Sequence, residues 1–223
     1  MKTILSTLAI VALACTSFGQ IKEGKISFDM KFSSADPMIQ QQAAMMQGSK
    51  MVQYFAAEGT RTEMNMGMFV NTTVIKNIKD KKTLQLNGGM MGNKAILTDD
   101  LVKAQDSQNE NVAEKTTETK KILGLLCTKY IIDLGPESGM VMIWTTEEIK
   151  PEVKLENQFS GGNVQGVPML IEVENPQMSI TITATDIVKD LKKENKKKLF
   201  STEIPEGYEV TTMEQMMQEF GEE

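Results

Sequence analysis

The feature that most restricts this fold is a period of two. Ile26, Phe28, Met30 and Phe32 alternate with Lys25, Ser27, Asp29 and Lys31, and an extended strand is the local structure that sends successive side chains to opposite faces. One face of that strand is expected to be buried and the other wet. The pattern returns near the other end, where Ile180, Ile182 and Ala184 should face the core while Thr181, Thr183 and Thr185 face water. There, Val164 to Glu174 and Met178 to Val188 read as a hairpin around Asn175-Pro176. The fold class that follows is mainly β: a curved antiparallel sheet or half-open barrel with a few short helices.

Between these ends the chain reads as a meander. From Lys50 to Leu97 the turn chemistry falls at Glu58-Gly59, at Lys79 to Lys82 and at Asn87-Gly88-Gly89. Val52, Tyr54 and Ala56 share one face, while Met64, Met66 and Met68 share another that Val70, Thr72 and Val74 continue. Residues 98–115 are polar and aperiodic, which predicts a long loop inside one domain. Thr116 to Ile122 and Leu125 to Leu134 flank Gly124, with Leu126, Tyr130, Ile132 and Leu134 in one parity. Gly135-Pro136-Glu137-Ser138-Gly139 then turns the chain into Met140 to Thr145.

Three helices are expected, early, mid-chain and C-terminal. Asp36-Pro37 supplies a cap and a first-turn proline for the Gln, Ala and Met residues that follow, up to Gly48. Thr145-Thr146-Glu147-Glu148 has capping-box spacing and predicts a single turn before Pro151. Thr211 and Glu214 cap a closing amphipathic helix carrying Met213, Met216, Met217 and Phe220, expected to pack on the sheet. Asp190 to Lys198 reads as a solvated, basic linker.

The first residues have the plan of a cleavable export signal: Lys2, an apolar run from Ile4 to Cys15, and small residues Ser17 and Gly19 before Gln20. That run is shorter than the roughly 20 residues a membrane-spanning helix needs. The expected organisation is a signal over 1–19 and a single β-rich domain over 20–223, working in the periplasm or secreted. Ala12-Leu13-Ala14-Cys15 loosely resembles a lipobox, so tethering through a lipidated Cys15 is the alternative. Removing 1–19 takes one of 24 basic residues and none of 30 acidic ones, leaving a formal charge of −7. Such a surface repels nucleic acid and anionic membrane. It also leaves Cys127 alone, so no intramolecular disulfide is expected.

The chain contains no His. That excludes Ser-His-acid and Cys-His nucleophiles and ordinary zinc sites. Cys127 lacks an activating base or resolving partner and reads as a structural thiol. The acid pairs Asp99-Asp100 and Glu147-Glu148 sit by a turn and a cap, Gly88-Gly89 and Gly161-Gly162 lack the context that cradles phosphate, and Asn71-Thr72-Thr73 is a sequon inside a strand pattern. No enzymatic role and no cofactor is expected.

Methionine is the excess, at 18 residues against 8 Phe and one Trp. Thioethers are soft ligands for Cu(I), which makes Met64, Met66 and Met68 the metal alternative. They are also flexible core filler, the reading that spread-out enrichment favours. The expected lining of an apolar ligand site is Met64, Met66, Met68, Met140 and Met142, on a dry, sulfur-rich inner wall.

Two segments carry a family resemblance. Lys121-Ile122-Leu123-Gly124-Leu125-Leu126-Cys127-Thr128-Lys129-Tyr130 and Met142-Ile143-Trp144-Thr145-Thr146-Glu147-Glu148-Ile149-Lys150-Pro151 resemble the centre of the bacterial family catalogued as domain of unknown function 4412. Met64-Asn65-Met66-Gly67-Met68, Ile204-Pro205-Glu206-Gly207-Tyr208 and Met213-Glu214-Gln215-Met216-Met217 are similar to its front and closing segments, while Leu125-Leu126 departs from it. The resemblance implies an exported envelope protein shaped like the half-open barrel of lipoprotein carriers, with no reaction to transfer. The expected function is a non-enzymatic binding module for a lipid, acyl chain or apolar peptide. The alternatives are Cu(I) binding and a structural or stress-related role without ligand. Nucleic acid and a transmembrane segment are not expected.

Overall fold

The computed structural model describes residues 20–67, 70–90, 92–99, 112–153, 155 and 163–221. The proposed signal with Cys15, most of the 98–115 loop, and Met68 lie outside the described residues. In chain order the elements are β1 (Gly24–Ser33), α1 (Pro37–Met45), β2 (Lys50–Ala56), β3 (Gly59–Met66), β4 (Val70–Asn77), β5 (Lys82–Gly89), β6 (Lys94–Thr98) and β7 (Glu114–Ile122). They continue with β8 (Leu125–Asp133), β9 (Met140–Thr146), β10 (Val167–Glu174), β11 (Ser179–Val188), α2 (Lys196–Leu199), β12 (Glu209–Val210) and α3 (Met213–Gly221).

All twelve strands lie in one sheet, ordered β12-β6-β5-β4-β3-β2-β1-β11-β10-β9-β8-β7. Neighbours are antiparallel except β12 with β6. Two meanders, β1 to β6 and β7 to β11, are joined by the long β1–β11 pairing from Lys25↔Val188 to Ser33↔Ser179. The order ends in two unpaired edges, so the sheet is open and not a closed barrel. The mainly β class is as the alternation predicts.

The two faces can be followed by register, because directly opposite residues share a face. Phe28 is opposite Ala184 and Met51, and Met30 is opposite Ile182. Through Ile182↔Ile171 and Ile171↔Ile143 this face runs to Tyr130. Ile26, Phe55, Ile143 and Ile182 on it are fully buried, each stabilising the fold by about 1.5–3 kcal/mol. In β4 to β6 the apolar side changes over: Ile75, Leu84, Leu86 and Ala95 face the other way and pack with Ile204 and Tyr208. The Phe28 face of those strands carries Thr72, Lys76, Thr83, Gln85 and Asn87 beside Val70, Val74 and Ile96. The dry, sulfur-rich inner wall is thus corrected to one that is apolar over half the sheet and mixed polar and apolar over the rest.

Three local expectations are also corrected. The mid-chain helix is absent: Thr145 and Thr146 are buried in β9, and the Glu148 carboxylate accepts a bond from Leu126 N–H at 2.7 Å. Asn87-Gly88-Gly89 continues β5, paired with Val70 to Thr72, and the turn comes afterwards. The closing helix is capped one residue later than predicted, by a reciprocal Thr212 and Gln215 box. Its contact with the sheet includes Asn87 Nδ2 donating to Met216 Sδ at 3.6 Å.

The basic 190–198 stretch is held down at both ends. Leu191 and Phe200, 2% and 1% exposed, pack with Ala56 on β2, and between them lies α2. Lys196 donates to the Glu23 carboxylate and lies 3.9 Å from Glu58. The Lys196 bond holds Glu23 below the usual carboxylate range, and the same bond raises Lys196. Glu23 therefore stabilises the fold fully above its ordinary unfolded value, and that contribution is lost as pH falls through the lowered folded value. The Lys196 contribution is lost only as pH rises through its own raised value. Glu23→Gln is expected to cost about 0.5–1 kcal/mol at pH 7, the range of exposed pairs. Urea midpoints should show this gap closing in acid; a gap that persists at full size there would refute the assignment.

Candidate functional site

The methionines expected to line one site are not brought together. Met64 is opposite Met51 and so lies on the Phe28 face, with Met66 two residues on. Met142 is opposite Glu172, which is opposite Thr181, which is opposite Lys31. Lys31 is one step out of phase with Phe28, so Met140 and Met142 belong to the other face. Met140 is 38% exposed at the strand start.

On that second face Trp144 is buried beneath two ammonium groups. Lys120 Nζ lies 3.9 Å and Lys129 Nζ 5.7 Å from its ring centroid. Cys127 and Thr146 are opposite one another on the same face and fully buried. Burial pushes the Cys127 thiol up to about 11, so it is held protonated and poorly nucleophilic at neutral pH. The remaining reactive-looking groups have structural work: Asp99 pairs with Lys82 at 3.8 Å, Glu147 with Lys115 at 3.7 Å, and Glu148 holds β8. Asp100 lies outside the described residues. Among the described residues no three His, Cys, Asp or Glu side chains are grouped to hold a metal ion.

A cavity lies where β9 ends and β10 begins. The chain leaves β9 through Ile149, which bridges to Ile21 in parallel, and passes Pro151 and Leu155. It re-enters the sheet at Val167, opposite Thr146. Gly166 allows that re-entry: its φ is +86°, and a Cβ there would meet the Thr146 carbonyl oxygen at 2.6 Å. The result is an open cleft of about 510 Å³, walled by Ile149, Pro151, Leu155, Val164, Val167 and Pro168. Its size falls within the roughly 300–1,000 Å³ of small-molecule sites. Glu147, Lys150, Glu152 and Gln165 form its polar parts. Met64, Met66, Met140 and Met142 do not line it. A trace of it is legible in the sequence: Leu155 is an apolar residue out of any period, between Pro151 and Pro168.

An open, mainly antiparallel sheet with a cleft at its corner defines a class of β protein without naming a member. No family model and no curated protein matches this chain, so the resemblance to domain of unknown function 4412 gains no support there. Among solved structures, two crystal forms of PNGF-II are similar, at 15% and 16% identity and TM-scores of 0.50 and 0.51. They match over 88% and 89% of this chain, which spans only 32% and 33% of that protein's length. The likeness concerns fold alone. A LolA superfamily protein, NE2245 from Nitrosomonas europaea, matches at 10% identity over 81% of this chain and 90% of its own, with a TM-score of 0.22. A superposition that loose leaves the lipoprotein-carrier shape an expectation.

Proposed function

We propose that this protein is a non-enzymatic binding module of the bacterial cell envelope that takes an apolar ligand, of the acyl-chain type, in the corner cleft. One observation carries the reading: a cleft of about 510 Å³ whose lining includes six apolar residues and which is open at the surface. An acyl chain gains about 0.8 kcal/mol for each methylene it buries, and such a wall asks for no directional partner. The composition supports the non-enzymatic half of the reading. With no His in the chain and the Cys127 thiol held protonated, imidazole and thiolate chemistry have no group to run on.

Titration with a fluorescent long-chain fatty acid tests it. Val164 is a half-buried wall residue, so Val164→Trp fills the cleft and should weaken binding at least tenfold, while Met142→Leu on the sheet leaves it unchanged. Absence of saturable binding to the unaltered protein sinks the proposal. Equal binding by Val164→Trp moves the ligand elsewhere and sinks the site.

A further inference from the structure

We propose a second, separate site: a thioether site for a soft monovalent cation, Cu(I) or Ag(I), formed by Met30, Met51, Met64 and Met66 on the Phe28 face of β1 to β3. The register places them as a group. Met51 and Met64 are directly opposite across β2–β3, where Cβ atoms stand about 4.5–5.5 Å apart. Met66 is the diagonal neighbour of Met51 on one side. Met30 is its diagonal neighbour on the other, since Phe28 is opposite Met51. Diagonal positions are about 7–8 Å apart, within reach of long side chains.

The set stands at the border of the main core, to which Met30 belongs and against which Met51 and Met64 pack. Met30 is 6% exposed and backs the group, whereas Met51, Met64 and Met66 are half-buried and reachable from solvent. Beside them Ser49, 1% exposed, has its hydroxyl committed to the Met46 carbonyl at 2.6 Å and its own carbonyl to Met30 N–H. Ser49 is thus engaged with backbone on both counts, and the four thioethers are the soft donors of the group. Neutral thioethers cancel no charge on the ion and need no deprotonation, which selects a monovalent soft cation over zinc, magnesium or calcium. The arrangement also replaces the Met64, Met66 and Met68 set that spacing along one strand implies: the partners come from neighbouring strands.

Silver(I), which has the charge and softness of Cu(I) without its redox chemistry, is the probe. In competition with a thioether chelator the unaltered protein should retain one equivalent, and Met51→Leu with Met64→Leu should lower affinity at least tenfold. Leucine keeps the volume, and unchanged urea midpoints report an intact fold. If the double variant proves unstable, methyl carbon spectra of the unaltered protein decide. On silver addition the signals of these four residues should move, while those of exposed Met38, Met90 and Met213 stay. No retained silver, undiminished retention by a folded double variant, or shifts spread over the exposed methionines would each overturn the site. The fatty-acid titration reads the other cleft and is independent of all three outcomes.

Discussion

Phe55→Ala should be among the most damaging single substitutions in this protein, costing about 3–5 kcal/mol as buried Phe truncations do. Phe55 has no exposed surface and belongs to the main core. Its ring does two jobs. It fills the Phe28 face between β1 and β2, and it lies over Gly24, its directly opposite partner, where an added Cβ would come within 3.1 Å of Phe55 Cζ. An aromatic ring over a cross-strand glycine covers backbone that glycine leaves bare. Truncation therefore opens a cavity and exposes the start of β1, the strand through which the two meanders are joined. Phe55→Leu keeps most of the volume and should cost less than half as much. Urea unfolding with an unchanged slope measures both, and a loss under 1 kcal/mol for the alanine variant would show that the ring is not holding β1 to β2.

How much of this was legible in the sequence depends on what each signal measures. Alternation along β1 and β11 reported strands correctly because the apolar parity is the more buried one in each, from Gly24 to Met30 in β1 and at Ile182 and Ala184 in β11. In β8 the parity was right and its meaning was not. Leu126 shares parity with Tyr130 and Ile132 yet is 52% exposed, while Leu125 and Cys127 are buried on the opposite face. The buried side changes along the strand because Ile21, Ile149 and Leu155 join the core near its start. Parity gives phase within a strand, but the face is set by register carried through every pairing between strands. That is why Met64 and Met142 could be read as one lining and lie on opposite faces.

Glycine and threonine misled for a related reason. Gly88 is small because the Asn93 side chain and the Tyr208 hydroxyl approach it, at 3.1 and 3.8 Å from where a Cβ would stand, and no turn is involved. Thr145 and Thr146 carry the spacing of a cap but are β-branched and buried, so the sheet takes them. The apolar anchors Leu191 and Phe200 stand apart from any period, and composition averaged over the charged stretch conceals them.

Two glycines in one loop separate conformational strain from steric contact, and they supply the second large effect. Gly135 and Gly139 both have φ of +87°, so any other residue pays the left-handed backbone cost at either, roughly 1–2 kcal/mol. Their surroundings differ. Nothing lies within 4 Å of a Cβ at Gly135, whereas at Gly139 it would stand 1.9 Å from the Glu174 carbonyl oxygen and 2.7 Å from Asn175 Cα. Those are backbone atoms at the end of β10, opposite Met140, and no rotamer change relieves the clash. Gly139 also closes the β8–β9 hairpin, its carbonyl accepting from Leu134 N–H at 2.9 Å and its N–H donating to Gly135 at 2.8 Å. Gly135→Ala should therefore lose only about the backbone cost of 1–2 kcal/mol. Gly139→Ala must in addition push β9 and β10 apart where they pair, and should lose at least twice as much, with faster amide exchange from Met140 to Met142 and from Glu172 to Glu174. Equal losses at the two positions would mean that the loop moves away from β10 freely, and that the strand ends are not in the close contact on which the pairing of Met140 with Glu174 depends.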